Sequence, residues 1–160
     1  MRRSASASAA FALALAAAGG CAGRVPAAGR ESPAISVAGA SASPDTDAAG
    51  ARNAVAAFLD AEAQGSSAAD TLLAAEADFI MTGILAHARP RLAGLNGPGA
   101  ATIEEANTSV AGAMAWVVVS YRFEGRTPDL SERGRATFVL EKQRAGWKIR
   151  HAHSSMVERW

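Results

Sequence analysis

The spacing of apolar positions changes along the chain from a helical period to a strand period. Residues 52–64 carry their larger apolar side chains at i, i+3 and i+4, with Asp60 and Glu62 on the opposite side, which predicts an amphipathic helix. After the Gly-containing break at residues 96–99, apolar and polar residues alternate, which predicts strands. Four strands are expected: Thr102–Val110, Ala115–Phe123, Arg135–Lys142 and Trp147–Ser154. Helices followed by antiparallel strands indicate an α+β fold.

Three shorter elements are predicted between the first helix and these strands. Ser67 and Asp70 have the spacing of a capping box, which predicts a second helix that ends near residue 77. The apolar run at residues 79–82 predicts a short strand, which Gly83 ends. Pro90 suits the first turn of a helix, so that a short third helix is expected to run through Leu95.

Both faces of the predicted strand at residues 115–123 contain apolar side chains. Trp116 and Val118 lie on one face, and Val117 and Val119 lie on the other. A sheet covered by helices on one side needs only one apolar face. We therefore expect a homodimer, in which a second copy of the sheet covers the other face; edge helices or the N-terminal segment are the alternatives.

The last strand carries two histidines near the C-terminus. A period of two places His151 and His153 on the same face as Trp147 and Ile149, which predicts that both imidazoles point toward the helix-covered interior. They are therefore the candidate catalytic residues, because the pKa of histidine suits acid–base chemistry near neutral pH. The alternative is that they are hydrogen-bonded interior residues without a catalytic role.

The sequence contains few residues that could join the two histidines in a metal site or a proton-transfer pair. His87 is the only other histidine, whereas a catalytic metal needs about three protein ligands, so no metal is expected. No aspartate partner is expected, because Asp78 lies at the start of a strand, where a local structural role is the ordinary one. Without a Gly-rich dinucleotide loop, no cofactor is expected either.

The N-terminus has the order of a secretory signal: Arg2 and Arg3, an apolar run to residue 18, two glycines and then Cys21. Cys21 is the only cysteine, so no intramolecular disulfide can form. The segment resembles a bacterial lipoprotein signal at residues 1–20, with Cys21 as the lipid attachment site. This resemblance implies a protein anchored in the cell envelope, expected at the outer membrane facing the periplasm.

Residues 21–50 contain mainly Ala, Gly, Ser, Pro and Asp, which predicts a disordered tether. The folded domain is then expected at residues 51–157. Removal of Arg2 and Arg3 with the signal would change 16 basic and 15 acidic side chains into 14 and 15. The remaining basic residues are scattered, so nucleic acid is not expected as a partner.

The order of these segments resembles the SnoaL-like branch of the nuclear transport factor 2-like superfamily, with an ending of the SgcJ/EcaC type. The similar segments are Ala77–Ile80 with Gly83, Gly112–Val118, and Gly146–Ile149 followed by His151, His153 and Ser154. The resemblance implies a cone-shaped, curved antiparallel sheet wrapped around N-terminal helices. The superfamily includes isomerases, dehydratases and members without known activity, so the fold does not choose among them.

The expected function is that of an envelope protein whose cone binds a small molecule or serves assembly without catalysis. Trp116, Tyr121 and Trp147 are the aromatic candidates for ligand contact, although large aromatic residues also build small cores. Two alternatives are an isomerase or dehydratase that uses His151 or His153 as acid or base, and a structural interaction module of the envelope.

Overall fold

The computed structural model describes residues 43–127 and 130–157. The predicted signal, Cys21 and the tether as far as residue 42 lie outside the described residues. Within the described part of the chain, no helix combines the length and the apolarity needed to cross a membrane.

The first element is a long helix, α1, at Pro44–Ala63. It begins earlier than predicted, and residues 44–50, which the sequence assigns to the tether, form its first turns. Proline suits this first turn, and Asp45 and Asp47 lie where acidic side chains interact favourably with the helix dipole. The buried stripe of α1 contains Ala51, Val55, Phe58, Leu59 and Glu62.

The second helix is shorter than predicted. It is a 3₁₀ helix at Ser67–Leu72, and its N-cap is Ser66, whose hydroxyl accepts a hydrogen bond from the backbone N–H of Ala68. The residues after it form the strand β1, Leu73–Met81, so the prediction of a helix to residue 77 is wrong. Alanines at 74, 75 and 77 favour a helix locally, but pairing with the last strand outweighs that preference.

Five further strands complete one six-stranded sheet. They are β2, Ile84–Ala86; β3, Gly99–Ala111; β4, Met114–Gly125; β5, Ser131–Gln143; and β6, Gly146–Met156. The order across the sheet is β2-β1-β6-β5-β4-β3. The four long strands were predicted, and each extends a few residues farther. The sheet is mixed, because β1 pairs parallel to β6 while all other neighbours are antiparallel.

The predicted third helix at residues 90–95 is absent, and this part of the chain is a loop that lies against the sheet. Two side chains from the sheet hold its backbone. The Tyr121 hydroxyl donates a hydrogen bond to the carbonyl of Ala93 at 2.5 Å, and the backbone N–H of Ala93 donates to the Ser154 hydroxyl at 2.9 Å. Leu92 and Leu95 are buried, so the loop helps to close the core.

The core lies between α1 and the inner face of the sheet. Phe58 of α1 stacks on Phe79 of β1 with ring centroids 5.8 Å apart, and its ring meets Phe138 of β5 edge-on at 6.0 Å. Val117 and Val119 of β4 are also buried on this face. In the described residues α1 therefore covers one face of the sheet and leaves the other, called the outer face below, without a helix.

Candidate ligand-binding site

A β-bulge in β6 decides where the two histidines point. Leu140 of β5 pairs with Ile149, and the next residue, Val139, pairs with His151, so Arg150 is an extra residue on β6. An extra residue reverses the alternation of faces in the rest of the strand. Ala152 is consequently buried, whereas His153 is exposed. The prediction that both imidazoles point inward is wrong, because His151 and His153 lie on the outer face.

His151 has an aspartate partner, so the expectation of none is wrong. Asp78 is its neighbour in the parallel pairing of β1 with β6, and the His151 Nδ1 atom lies 2.6 Å from the Asp78 Oδ1 atom. Such a contact fixes the orientation of an imidazole ring. The two side chains are 32% and 56% exposed, so the pair lies on an open sheet surface. In the described residues, no three His, Cys, Asp or Glu side chains are grouped to hold a metal.

The three aromatic candidates separate into two groups. Trp147 is buried, and its ring lies close to Gly50 of α1. A Cβ atom at position 50 would be only 3.1 Å from the ring, so the contact depends on a glycine there. Tyr121 is buried against Gly134, and burial raises the pKa of its hydroxyl, an effect that a hydrogen bond with Ser154 reduces. Trp116 lies on the outer face and is 42% exposed. Trp147 and Tyr121 therefore belong to the core.

A cavity of about 340 Å³ lies at the C-terminal end of α1, beside the loop that follows β2. Apolar groups of Pro90, Leu95 and Pro98 form much of its wall. Glu62 and Arg89 supply charged groups, and none of the five predicted site residues lines it. Residues 62–65 at the end of α1 and the loop that follows β2 thus form a candidate site, which is not among the residues predicted from the sequence.

The polar wall of the cavity is part of a cluster of two acids and two arginines. The Glu62 Oε1 atom lies 3.0 Å from Nη1 of Arg91 and 3.6 Å from Nε of Arg89. Asp70 of the 3₁₀ helix accepts hydrogen bonds from the same two arginines at 2.8 and 3.1 Å. The four charges balance, and the cluster ties the loop to the two helices.

The pKa values of the two acids in the cluster are shifted in opposite directions. Burial raises the pKa of Glu62 above its usual 4.5, although Arg91 and then Arg89 pull it back. Hydrogen bonds from Arg91 and Arg89 lower the pKa of Asp70 below its usual 3.8. Glu62 thus lies in a weakly hydrated position that depends on its arginine partners.

The helical pattern contains a signal for Glu62. Positions 51, 55, 58 and 59 form the apolar stripe of α1, and position 62 continues it at i+3 and i+4. The placement of Glu62 on the opposite side is therefore wrong, and a carboxyl in an apolar stripe implies a buried partner. No signal identifies that partner, because both arginines lie far along the chain, Arg91 within the predicted third helix and Arg89 just before it.

Comparison with known proteins identifies the family of the chain. The model of the SnoaL-like domain family matches residues 51–158. The chain belongs to the SnoaL-like domain family. Its fold is that of the nuclear transport factor 2-like superfamily, as solved structures also show. Among curated proteins, no match to the SnoaL-like chain is found.

Three solved structures are similar to this SnoaL-like domain over most of their length. A proposed dehydratase of the nuclear transport factor 2-like family from Streptomyces avermitilis is 20% identical with a TM-score of 0.60, covering 73% of this chain and 100% of that one. A proposed ketosteroid isomerase from Shewanella frigidimarina is 25% identical with a TM-score of 0.53, covering 66% and 94%. A protein with a cystatin-like fold from Caulobacter vibrioides is 15% identical with a TM-score of 0.52, covering 71% and 89%.

Proposed function

We propose that this SnoaL-like domain binds a small molecule with an apolar body and an acceptor oxygen, a carbonyl or a carboxylate, in the cavity at the end of α1. The observation that carries the proposal is the combination of apolar wall and buried charge at this place. Ligand sites are typically concave and mainly apolar, with few polar groups that orient the ligand. At about 340 Å³, the cavity is large enough for a small ligand.

Arg89 is the residue that selects an acceptor oxygen. It donates one hydrogen bond from Nη1 to the backbone carbonyl of Ser66 and one from Nη2 to Asp70, and its Nε faces Glu62. A guanidinium has two N–H groups on each terminal nitrogen. One N–H group on each terminal nitrogen of Arg89 therefore remains for a ligand, and the side chain is 25% exposed at the cavity wall. A carbonyl or carboxylate oxygen is the complementary group.

The cavity favours binding over proton transfer. Glu62 is the one carboxyl group among the residues that line it, and its Oε1 atom is engaged by Arg91 and Arg89. A general base must reach the proton that it removes, and Glu62 is held by its partners instead. An isomerase or dehydratase with an inward-facing histidine has no support, since His151 and His153 lie on the outer face.

The proposal is tested with 2-naphthoate, its methyl ester and 2-naphthylmethylamine as probes, using calorimetry or fluorescence. The acid and the ester should bind, and the amine should bind at least tenfold more weakly, because the remaining N–H groups of Arg89 need an acceptor and an ammonium group has none. Gln64→Trp should weaken binding at least tenfold by filling the cavity, and Arg89→Met should weaken the acid more than the ester. Asn53→Trp, at an exposed position of the same helix, is the control. Equal binding by wild type and Gln64→Trp would refute this site.

We also propose that the domain is held at the bacterial envelope by lipid on Cys21. The support is the order of the first residues, in which a charged start and a short apolar run precede the only cysteine. Two or more acyl chains give stable anchoring where one is marginal. Cys21→Ser should move the protein from the membrane to the soluble fraction, with Ala22→Ser as control. Retention of Cys21→Ser in the membrane fraction would contradict the anchor.

A further inference from the structure

The wall of the cavity at the end of α1 contains one positive and one negative side chain, Arg89 and Glu62. They face each other, with the Nε atom of Arg89 3.6 Å from the Oε1 atom of Glu62. The side chain of Arg89 is 25% exposed, whereas that of Glu62 is only 1% exposed. A ligand that reaches Arg89 therefore lies beside a carboxyl group that water hardly reaches, and its charge must suit both side chains.

The free donors of Arg89 suit a carboxylate better than a carbonyl group. One N–H of Nη1 is used for the backbone carbonyl of Ser66 and one of Nη2 for Asp70, so each terminal nitrogen keeps one. A carboxylate has two oxygens that can accept both, whereas a carbonyl group has one. Paired hydrogen bonds between a guanidinium and a carboxylate add both energy and specificity. The ligand that uses Arg89 fully is thus a carboxylate with an apolar body.

A bound carboxylate would upset the balance of charges in the cluster. Without a ligand, Glu62 and Asp70 neutralise Arg89 and Arg91. The carboxylate of a ligand would bring three negative and two positive groups together. Two carboxylates that share a weakly hydrated place do not both stay ionised easily, and the pKa of one rises. Uptake of a proton by one acid would restore the balance.

Glu62 is the acid that is placed to take up this proton. Burial raises its pKa above the usual 4.5, the charges of Arg91 and Arg89 and a backbone N–H of Arg91 lower it, and the charge of Asp70 raises it. Asp70 is 52% exposed, and hydrogen bonds from the two arginines lower its pKa. Asp70 therefore stays ionised, while a negative ligand beside Glu62 raises the pKa of Glu62 further.

We propose that the cavity binds an organic monocarboxylate rather than a neutral carbonyl compound, and that Glu62 takes up a proton from solvent as the ligand binds. This inference rests on the proposed ligand site, to which it adds the ligand class and the proton. The proton stays on Glu62, so the ligand is bound without chemical change. Because the complex holds more protons than the free protein, affinity should rise as pH falls.

The test compares 2-naphthalenesulfonate, which stays anionic throughout, with the neutral methyl ester of 2-naphthoate. Calorimetry on the full chain between about pH 5 and pH 8, in buffers of different ionisation enthalpy, gives affinity and proton uptake together. The affinity of wild type for the sulfonate should fall at least about tenfold as pH rises, with proton uptake on binding. The affinity for the ester should change less than about twofold, because the ester adds no charge.

Two variants separate Glu62 from the general charge of the cluster. Glu62→Gln should bind the sulfonate at least about tenfold more tightly than wild type near pH 8, without pH dependence and without proton uptake. Asp70→Asn also removes one acid but should keep both the pH dependence and the proton uptake. Circular dichroism checks that each variant is folded, and proton uptake by wild type tests the proposal without any variant.

The outcomes distinguish this inference from the ligand site on which it rests. A wild-type affinity for the sulfonate that does not change with pH, or a fall that Glu62→Gln retains, would overturn proton uptake at Glu62. An ester that binds wild type as tightly as 2-naphthoate near pH 6 would overturn the choice of a carboxylate. In these cases Gln64→Trp should still weaken binding, and the cavity would stand. Binding of no probe, or binding that Gln64→Trp leaves intact, would refute the site itself.

Discussion

The two faces of the sheet are formed by alternate residues of the same strands, yet they have different surroundings. On the inner face Val119, Tyr121 and Phe138 are almost fully buried by α1 and the loop after β2. On the outer face two apolar side chains, Trp116 and Val118, are 42% and 47% exposed. The inner face therefore stabilises the chain itself, whereas the outer face is apolar without a partner among the described residues.

The largest expected effect concerns the inner face. Phe138→Ala should lower the free energy of unfolding by about 3–5 kcal/mol, because it removes the ring that packs against Phe58 and leaves a cavity there. Trp116→Ala, on the outer face, should cost less than about 1 kcal/mol, because this side chain is already 42% exposed. Urea denaturation measures both costs. Similar costs for the two variants would show that the faces are not different.

The second effect concerns the bulge that separates the faces in β6. Deletion of Arg150 should leave Ile149 and Ala152 inward and His151 outward, so that the loss of stability should stay below about 2 kcal/mol. Deletion of Ala152 should cost more than about 3 kcal/mol, because a histidine must then take its place in the core. Thermal unfolding of both deletions is the measurement. If the Arg150 deletion is the more damaging one, the pairing of β5 with β6 has a different register.

The third effect is the pH dependence of the cluster beside the cavity. Because the folded pKa of Glu62 is raised, stability should fall as pH rises from 4.5 through the folded value, and Glu62→Gln should remove this fall. Because the folded pKa of Asp70 is lowered, its contribution is present above 3.8 and is lost as pH falls through the folded value; Asp70→Asn should remove that loss. Urea midpoints of wild type and of each variant between about pH 3 and pH 7 give the two contributions to stability as differences. If the Glu62 and Asp70 contributions changed with pH in the same direction, the roles of these residues in the cluster would be contradicted.

The smallest effect is expected at the exposed ion pair between β1 and β6. Arg150 Nη2 lies 3.2 Å from Glu76 Oε2, and both side chains are well exposed. Exposed ion pairs contribute little, so that Glu76→Gln should change the free energy of unfolding by less than about 0.5 kcal/mol. Chemical denaturation in low and high salt gives the value. A change above about 1 kcal/mol would mean that this edge of the sheet is more enclosed than the structure indicates.

The parts of the fold that depend on alternation could be predicted from the sequence. Strands β3 to β6 were found because their apolar residues repeat with period two between turns. The segment at residues 73–77 was not found, because its alanines favour a helix locally and only pairing with β6 makes it a strand. The sequence predicts a helix at residues 90–95, where the structure has a loop, since a proline permits a first helical turn without requiring one.

The candidate site was harder to predict than the fold. Alternation placed His151 and His153 inward, and one extra residue, Arg150, moved both to the outer face. Nothing in the order of residues identifies such a bulge. The role of Glu62 depends on Arg89 and Arg91, which the loop after β2 holds beside it, far from it along the chain. Contacts between residues far apart in the chain decided both outcomes.

The most direct test of the ligand site is NMR chemical-shift mapping of the ¹⁵N-labelled protein during titration with 2-naphthoate. We predict that the largest amide shifts occur at Gln64, Gly65, Arg89 and Gly97, around the cavity at the end of α1. The amides of Trp116 and His153 on the outer face should stay unchanged. Shifts centred on the outer face, with none at Gly65 and Gly97, would contradict the central claim that this SnoaL-like domain binds its ligand beside Glu62 and Arg89.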